Sequence, residues 1–234
     1  MVNIGHEREQ VNVLLLMKNL DCKPKVMTSN GKGKSVDSRI MVVGRSSVGK
    51  SALVVRYLTK RFIWEYDPTL ECTYKHHSVV DDEPVVMEIL DTAGQDETIH
   101  REGSVRWADG FVLVYAINDR QSFVDINSIK QYIDETKKTN VQCVLVATKT
   151  DLHHERIIST AEGQKLATDM ACAFFETSSS EGGNEITELF QELHREIKRR
   201  KMVENKPRRR SSAQQVKQVL TKMFNKQNSK NGPS

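Results

Sequence analysis

A chain of 234 residues that is 38% hydrophobic and 28% charged can bury one core, and it leaves little room for more than one domain with tails. Its four cysteines, Cys22, Cys72, Cys143 and Cys172, fall at neither C-x-x-C nor zinc spacing, so a disulfide framework and a structural zinc are not expected and a reducing compartment is. The formal charge of +4 is uneven: residues 198–234 hold twelve Lys or Arg and one Glu, which puts +11 on that segment and −7 on the first 197 residues. A basic tail on an acidic body suits a membrane surface, nucleic acid or an acidic protein, or is simply a solvated end.

Residues 1–37 are polar, with Ser, Asn, Gly and Lys crowding positions 28–35, and they read as an extension outside the fold. The apolar run 11–17, interrupted by Asn12, is far shorter than a membrane span and follows Glu7-Arg8-Glu9, a flank unlike that of a secretory leader. The texture changes at residues 40–43, a short and wholly apolar run that recurs at 85–90, 111–117 and 141–147. Buried strands have this character. Helical stretches at 51–60, 122–138 and 160–171 alternate with them, as in a doubly wound α/β sheet. One expected hairpin, 73–80 and 85–90 joined by Asp81-Asp82-Glu83-Pro84, makes the sheet mixed. A last helix places Ile186, Leu189, Phe190, Leu193 and Ile197 on one face and ends in Lys198-Arg199-Arg200-Lys201, so the domain spans 38–202 and leaves 203–234 as a basic tail.

Gly44-Arg45-Ser46-Ser47-Val48-Gly49-Lys50-Ser51 fits G-x-x-x-x-G-K-S between the first strand and the first helix. Glycines let backbone N–H groups wrap a phosphate, the helix N-terminus attracts the anion, Lys50 reaches the β and γ phosphates, and the Ser51 hydroxyl can ligate Mg²⁺. Gly44 and residues 46–52, through Ala52 in the first helical turn, are the expected phosphate-binding set. A similar run, residues 28–35, lacks the first glycine and a preceding strand, so it is not a second such loop. Asp91-Thr92-Ala93-Gly94-Gln95 follows a strand, where Asp91 can hold a metal through water, the Gly94 N–H can meet a γ-phosphate and Gln95 can orient an attacking water. Thr148-Lys149-Thr150-Asp151 also ends a strand, and its Asp151 carboxylate can accept from the N1 and N2 edge of guanine, a donor pair that adenine lacks. Glu176-Thr177-Ser178-Ser179 follows the short strand 173–175, and Ser178 and Ser179 can offer backbone N–H groups to the guanine O6.

In this order, these segments resemble those of the Ras superfamily of small GTPases over residues 38–202. Residues 49–71, Arg106-Trp107, Met202-Val203 and Arg208-Arg209-Arg210-Ser211-Ser212 carry a finer likeness within it. The resemblance implies a P-loop G domain with a six-stranded mixed sheet flanked by helices, GTP or GDP with Mg²⁺ as ligands, and GTP hydrolysis as a signalling switch. It implies that Thr69 in Tyr66-Asp67-Pro68-Thr69 ligates Mg²⁺ and contacts the γ-phosphate, and that Phe62 packs on the guanine. Catalysis would rest on Gln95, Lys50 and Gly94. An effector, an exchange factor and an activating protein are the implied partners. Five positions depart from the pattern. Ser46 and Ser47 stand where Ras has glycines, which points to slow hydrolysis and leaves a guanine-nucleotide-binding module with negligible hydrolysis as the alternative. Thr148 stands for the usual Asn, as in Rho-type relatives, and Ser179 for Ala. Cys72 stands for an effector-loop Asp, so binding to Raf-like effectors is not to be assumed from the resemblance.

The tail has no cysteine after Cys172 and the chain has no Gly at position 2, so no lipid anchor is expected. Val216, Val219, Leu220, Met223 and Phe224 share a helical face among Lys217, Lys222 and Lys226, a basic amphipathic pattern suited to weak contact with an anionic membrane or a calmodulin-like groove. The expectation is a cytoplasmic protein that binds no nucleic acid, with partial nuclear entry through residues 198–201 and 208–210.

Overall fold

The computed structural model describes residues 23–24, 36–62, 72–92, 102–139 and 141–204. Its elements in chain order are β1 (Lys23–Pro24), β2 (Ser38–Val43), α1 (Lys50–Thr59), β3 (Cys72–Val80), β4 (Glu83–Asp91), α2 (Glu102–Trp107), β5 (Gly110–Ala116), α3 (Arg120–Lys137), β6 (Gln142–Thr148), a 3-10 turn (Thr150–Glu155), α4 (Thr160–Asp169), β7 (Ala173–Glu176) and α5 (Glu185–Glu204). The sheet order is β1-β3-β4-β2-β5-β6-β7. β4, β2, β5, β6 and β7 run parallel, and β3 pairs antiparallel with β4. The six expected strands are all present, and the two-residue β1 joins them at the edge, pairing Lys23 with Thr73 and Pro24 with Cys72.

The apolar runs are continuous because both faces of the central strands are covered. Ile40 and Val42 of β2, with Val112 and Val114 of β5, pack with Leu53, Tyr57, Leu189, Phe190 and Leu193 of α1 and α5. Met41, Val43, Phe111, Leu113 and Tyr115 pack on the other face with Val105, Ile126, Ile133 and Leu166 of α2, α3 and α4. The expected stripe on the last helix is the buried face of α5: Ile186, Leu189, Phe190, Leu193 and Ile197 are each at most 2% exposed. Phe190 stacks on Tyr57 at 4.2 Å between ring centroids, and His194 on the same helix hydrogen-bonds the buried Ser38 hydroxyl at 2.6 Å.

The hairpin turn is shorter than its sequence suggests. Asp81 and Asp82 lie at φ 52° and 62°, as a two-residue type I′ turn requires, and Glu83 and Pro84 already pair with Val80 and Val79. Cys72 is disulfide-bonded, which corrects the expectation from cysteine spacing; Cys143 and Cys172 are free thiols and Cys22 lies outside the described residues. Strand pairing brings segments of any separation to the β3 edge, so spacing along the chain was no guide there.

The chain divides into two units after Arg199. Of the C-terminal unit, residues 200–204 are described and are helical, with Arg200 donating to Glu204 at 2.8 Å. The amphipathic pattern at 216–224 lies outside the described residues.

Candidate functional site

Because β2, β4, β5, β6 and β7 are parallel, their carboxyl ends share one edge of the sheet, and there motifs far apart in the chain meet. The residues 44–51 leave β2 and enter α1. Gly44 has φ 153°, and a Cβ on it would stand 2.1 Å from the Val114 carbonyl oxygen of β5, so the loop can lie against β5 only with glycine there. Ser47 (φ 65°) and Gly49 (φ 97°) are left-handed, the alternation that builds an anion-binding concavity from backbone N–H groups. Serine thus holds at position 47 a conformation that glycine adopts at less cost. Gly49 caps α1 with no side-chain hydrogen bond, leaving the helix N-terminus suited to an anion.

Lys50 is 5% exposed, and its ammonium donates to the Gly44 and Arg45 carbonyls at 2.9 Å each, bridging the loop from inside. Ser46 and Ser47 are exposed, Val48 is buried and Ala52 is half-buried in the first turn of α1. Arg45 pairs with Asp125 of α3 at 2.9 Å, a tether that the motif gave no sign of.

Asp91 ends β4 and is 2% exposed. Burial pushes its carboxyl up to about 6, against a hydrogen bond from Ser51 and the charge of Lys50. Its Oδ1 is buried without a hydrogen-bond partner, a cost that an unmet polar atom bears until a ligand meets it. Thr92 donates to the Val42 carbonyl at 2.8 Å and fixes the exit of β4 against β2.

Two hydroxyls build the loop expected to read the base. Thr148 Oγ1, at the end of β6, lies 2.5 Å from the Val48 carbonyl and 2.9 Å from that of Tyr115, and its single proton serves one at a time. The residue that departs from Asn therefore ties the phosphate loop to β5 and β6. Lys149 is left-handed at φ 62° and starts the 3-10 turn. Asp151 Oδ1 accepts from the Ser178 hydroxyl at 2.7 Å, and that hydroxyl also meets Ser180 Oγ at 2.7 Å and accepts from the Glu181 N–H at 3.2 Å. Ser178 and Ser179 are buried. Ser178 is expected in the site for its backbone N–H; its side chain also orients Asp151, and the signal for that in the sequence is a hydroxyl residue beside the expected base loop. Phe62 is half-buried just past α1. Thr69, Gly94 and Gln95 lie outside the described residues.

Residues 39–199 match the model of the Ras family. The Ras-related and estrogen-regulated growth inhibitor of Homo sapiens is 59% identical over 194 residues, covering 82% of this chain and 98% of that protein, in keeping with the finer likeness carried by residues 49–71. GTP-binding protein Rit2 of Mus musculus is 40% identical, over 73% of this chain and 79% of its own length. A Ras-like protein of Laccaria bicolor is 41% identical, over 69% of this chain and 78% of its own length. With the family model spanning residues 39–199, from β2 into α5, and relatives this similar over most of their lengths, the chain belongs to the Ras family.

Proposed function

We propose that this chain is a guanine-nucleotide switch that binds GTP and GDP with Mg²⁺ and hydrolyses GTP slowly. The carrying observation is the Asp151 carboxylate, steadied by Ser178 at 2.7 Å, at the same sheet edge as a phosphate loop bridged by Lys50. An anionic acceptor for the guanine N1 and N2 donors beside an anion-binding loop is the chemistry a guanine nucleotide needs. That one relative is named a GTP-binding protein supports the reading.

The donors present fit Mg²⁺, a hard cation that takes oxygen ligands and keeps several waters. Ser51 would ligate it directly and Asp91 through water, with the orphaned Asp91 Oδ1 facing that role; Thr69 is the third expected ligand. When bound, the ion neutralises charge on the β and γ oxygens. Lys50 adds a second positive charge there, Gly94 offers an N–H to the γ-phosphate, and Gln95 orients the attacking water. Loss of the γ-phosphate would release Thr69 and Gly94, which makes the protein a switch read by effectors and reset by an exchange factor and an activating protein. The second reading, a binding module with negligible hydrolysis, is favoured by Ser46, whose exposed side chain stands in the phosphate loop.

Asp151→Asn tests the base assignment. The amide puts a donor where the carboxylate offered an acceptor, so preference should move from GTP toward XTP, whose C2 oxygen replaces the amine. Competition binding with GTP and XTP measures it, and an unchanged preference would mean that Asp151 does not read the base.

A further inference from the structure

β6 and β7 run parallel with Val144 opposite Ala173, so Cys143 and Cys172, one residue earlier on each chain segment, stand on the same rung. Side chains alternate along a strand. Val144 and Ala173 face α1 and α5, and Cys143 and Cys172 both face the opposite cluster with α3 and α4. Neighbouring strands lie about 4.8 Å apart, inside the Cα separation of about 4.4–6.8 Å that a disulfide spans. Both are free thiols, Cys143 buried and Cys172 half-buried. A cleft of about 450 Å³ opens onto them, walled by Ala167, Thr168, Glu192 and Glu196. Thr148, at the nucleotide end of β6, is five residues on, roughly 16 Å at 3.3 Å per residue, so the pair lies outside the site described above.

We propose that Cys143 and Cys172 form a redox-active dithiol that hydrogen peroxide converts to an intramolecular disulfide. The half-buried Cys172 is the attacking sulfur. The hydrogen bond from Cys143 holds its thiol below the ordinary value, with the Lys130 ammonium and the Leu145 N–H assisting and burial opposing. Cys143 is pushed up by that same bond and by burial, which suits a resolving thiol that keeps its proton. Lys130 is only 8% exposed and is paired with Asp134 at 2.5 Å; Asp134, Glu192 and Glu196 are the acidic groups facing the pair or its cleft.

In the first step the Cys172 thiolate attacks one peroxide oxygen, the O–O bond breaks, and the departing hydroxide takes a proton to become water, leaving a sulfenic acid. In the second the Cys143 sulfur attacks Cys172, the S–S bond forms and the S–O bond breaks, and hydroxide leaves with the Cys143 proton as water. Two thiols lose two electrons and two protons, and peroxide becomes two waters. The reaction is independent of the nucleotide reading.

The test uses the full chain, reduced, treated with equimolar hydrogen peroxide, alkylated, digested and mapped by mass spectrometry. The expected product is a linked Cys143–Cys172 peptide, two hydrogens lighter than its parts and lost on re-reduction. Cys143→Ala should stop at a sulfenic acid on Cys172 that a 1,3-dione traps, and Cys172→Ala should lose the reaction. Alanine keeps both positions apolar, and far-ultraviolet circular dichroism verifies that each variant folds. Wild type that accumulates Cys172 sulfenic or sulfinic acid without the linked peptide would overturn the proposal, as would oxidation of Cys143 in Cys172→Ala to the extent seen in wild type. Should either variant fail to fold, the linked peptide in wild type still decides the matter.

Discussion

Single side chains at this site act through what they hold in place. Ser178 is the clearest case: its hydroxyl reaches Asp151 at 2.7 Å, and a hydrogen bond to a charged group that is half exposed contributes about 1–2 kcal/mol. Ser178→Ala should therefore weaken guanine-nucleotide binding about five- to thirtyfold and, because the same hydroxyl also meets Ser180 and the Glu181 N–H, lower the thermal midpoint of the nucleotide-free protein by a few degrees. Fluorescence titration with a labelled GDP measures the first and a melting curve the second; a lost midpoint with intact affinity would assign Ser178 to the fold alone. Ser46 poses the opposite question, because the resemblance to Ras implies glycine there. Its exposed side chain in the phosphate loop should crowd Gln95 and the arginine of an activating protein, a group worth about 10³–10⁵ in rate. Ser46→Gly should raise the single-turnover hydrolysis rate in the presence of activator and leave nucleotide affinity unchanged, since the loop binds phosphate through backbone N–H groups. Equal responses of wild type and variant would remove the steric account and restore an ordinary GTPase cycle.

At the scale of elements, the joints matter more than the interiors. α4 begins with a capping box: Ser159 accepts from the Glu162 N–H and Glu162 returns a bond to the Ser159 N–H, meeting two of the helix's orphan donors. Glu162 also pairs with Arg120 at 2.6 Å, which ties α4 to the start of α3. Arg120 first, then the Ser159 N–H and hydroxyl, hold the Glu162 carboxyl down at about 2 from an ordinary 4.5. A carboxylate whose folded pKa is depressed stabilises the fold above its unfolded pKa, and that stabilisation fades as pH falls. Glu162→Gln keeps the cap and removes the charge. Its melting temperature should lie below that of wild type at pH 7, and the gap should close as pH falls from about 4.5 toward 2. A gap that persists at the acid end would mean that the charge is not what Glu162 contributes. Other joints were hidden from sequence. α2 and the 3-10 turn have six residues each, too short for a helical period to declare itself, and the hairpin narrowed to two residues because Asp tolerates the left-handed turn that glycine prefers.

For the whole molecule the uneven charge is the main feature: +11 on the last 37 residues against −7 on the rest. Among the described residues no helix is long and apolar enough to cross a membrane. We propose cytoplasmic residence with partial nuclear entry and only electrostatic contact between the tail and anionic membranes. Such attraction decays within about a Debye length, roughly 8 Å at physiological salt. Fractionation should therefore find the membrane-associated share released by a wash of high salt, without detergent; retention until detergent is added would show a stronger anchor.

Residues 44–51 and Asp151 stand out in the sequence as candidates because each motif is local: its chemistry sits within a few residues and its flanking strand and helix announce themselves by period. The buried strands were legible for a related reason, since burial on both faces leaves an unbroken apolar run, and the α5 stripe because one buried face repeats every three or four residues. What only the tertiary structure decided are pairings between distant segments. Arg45 finds Asp125, Ser38 finds His194, Thr148 reaches Val48 and Tyr115, β1 closes the edge beside Cys72, and Cys143 shares a rung with Cys172. None of these follows from spacing, because each depends on which elements lie side by side. That order is set by how two layers of helices cover one sheet, a property of the collapsed chain and not of any window along it.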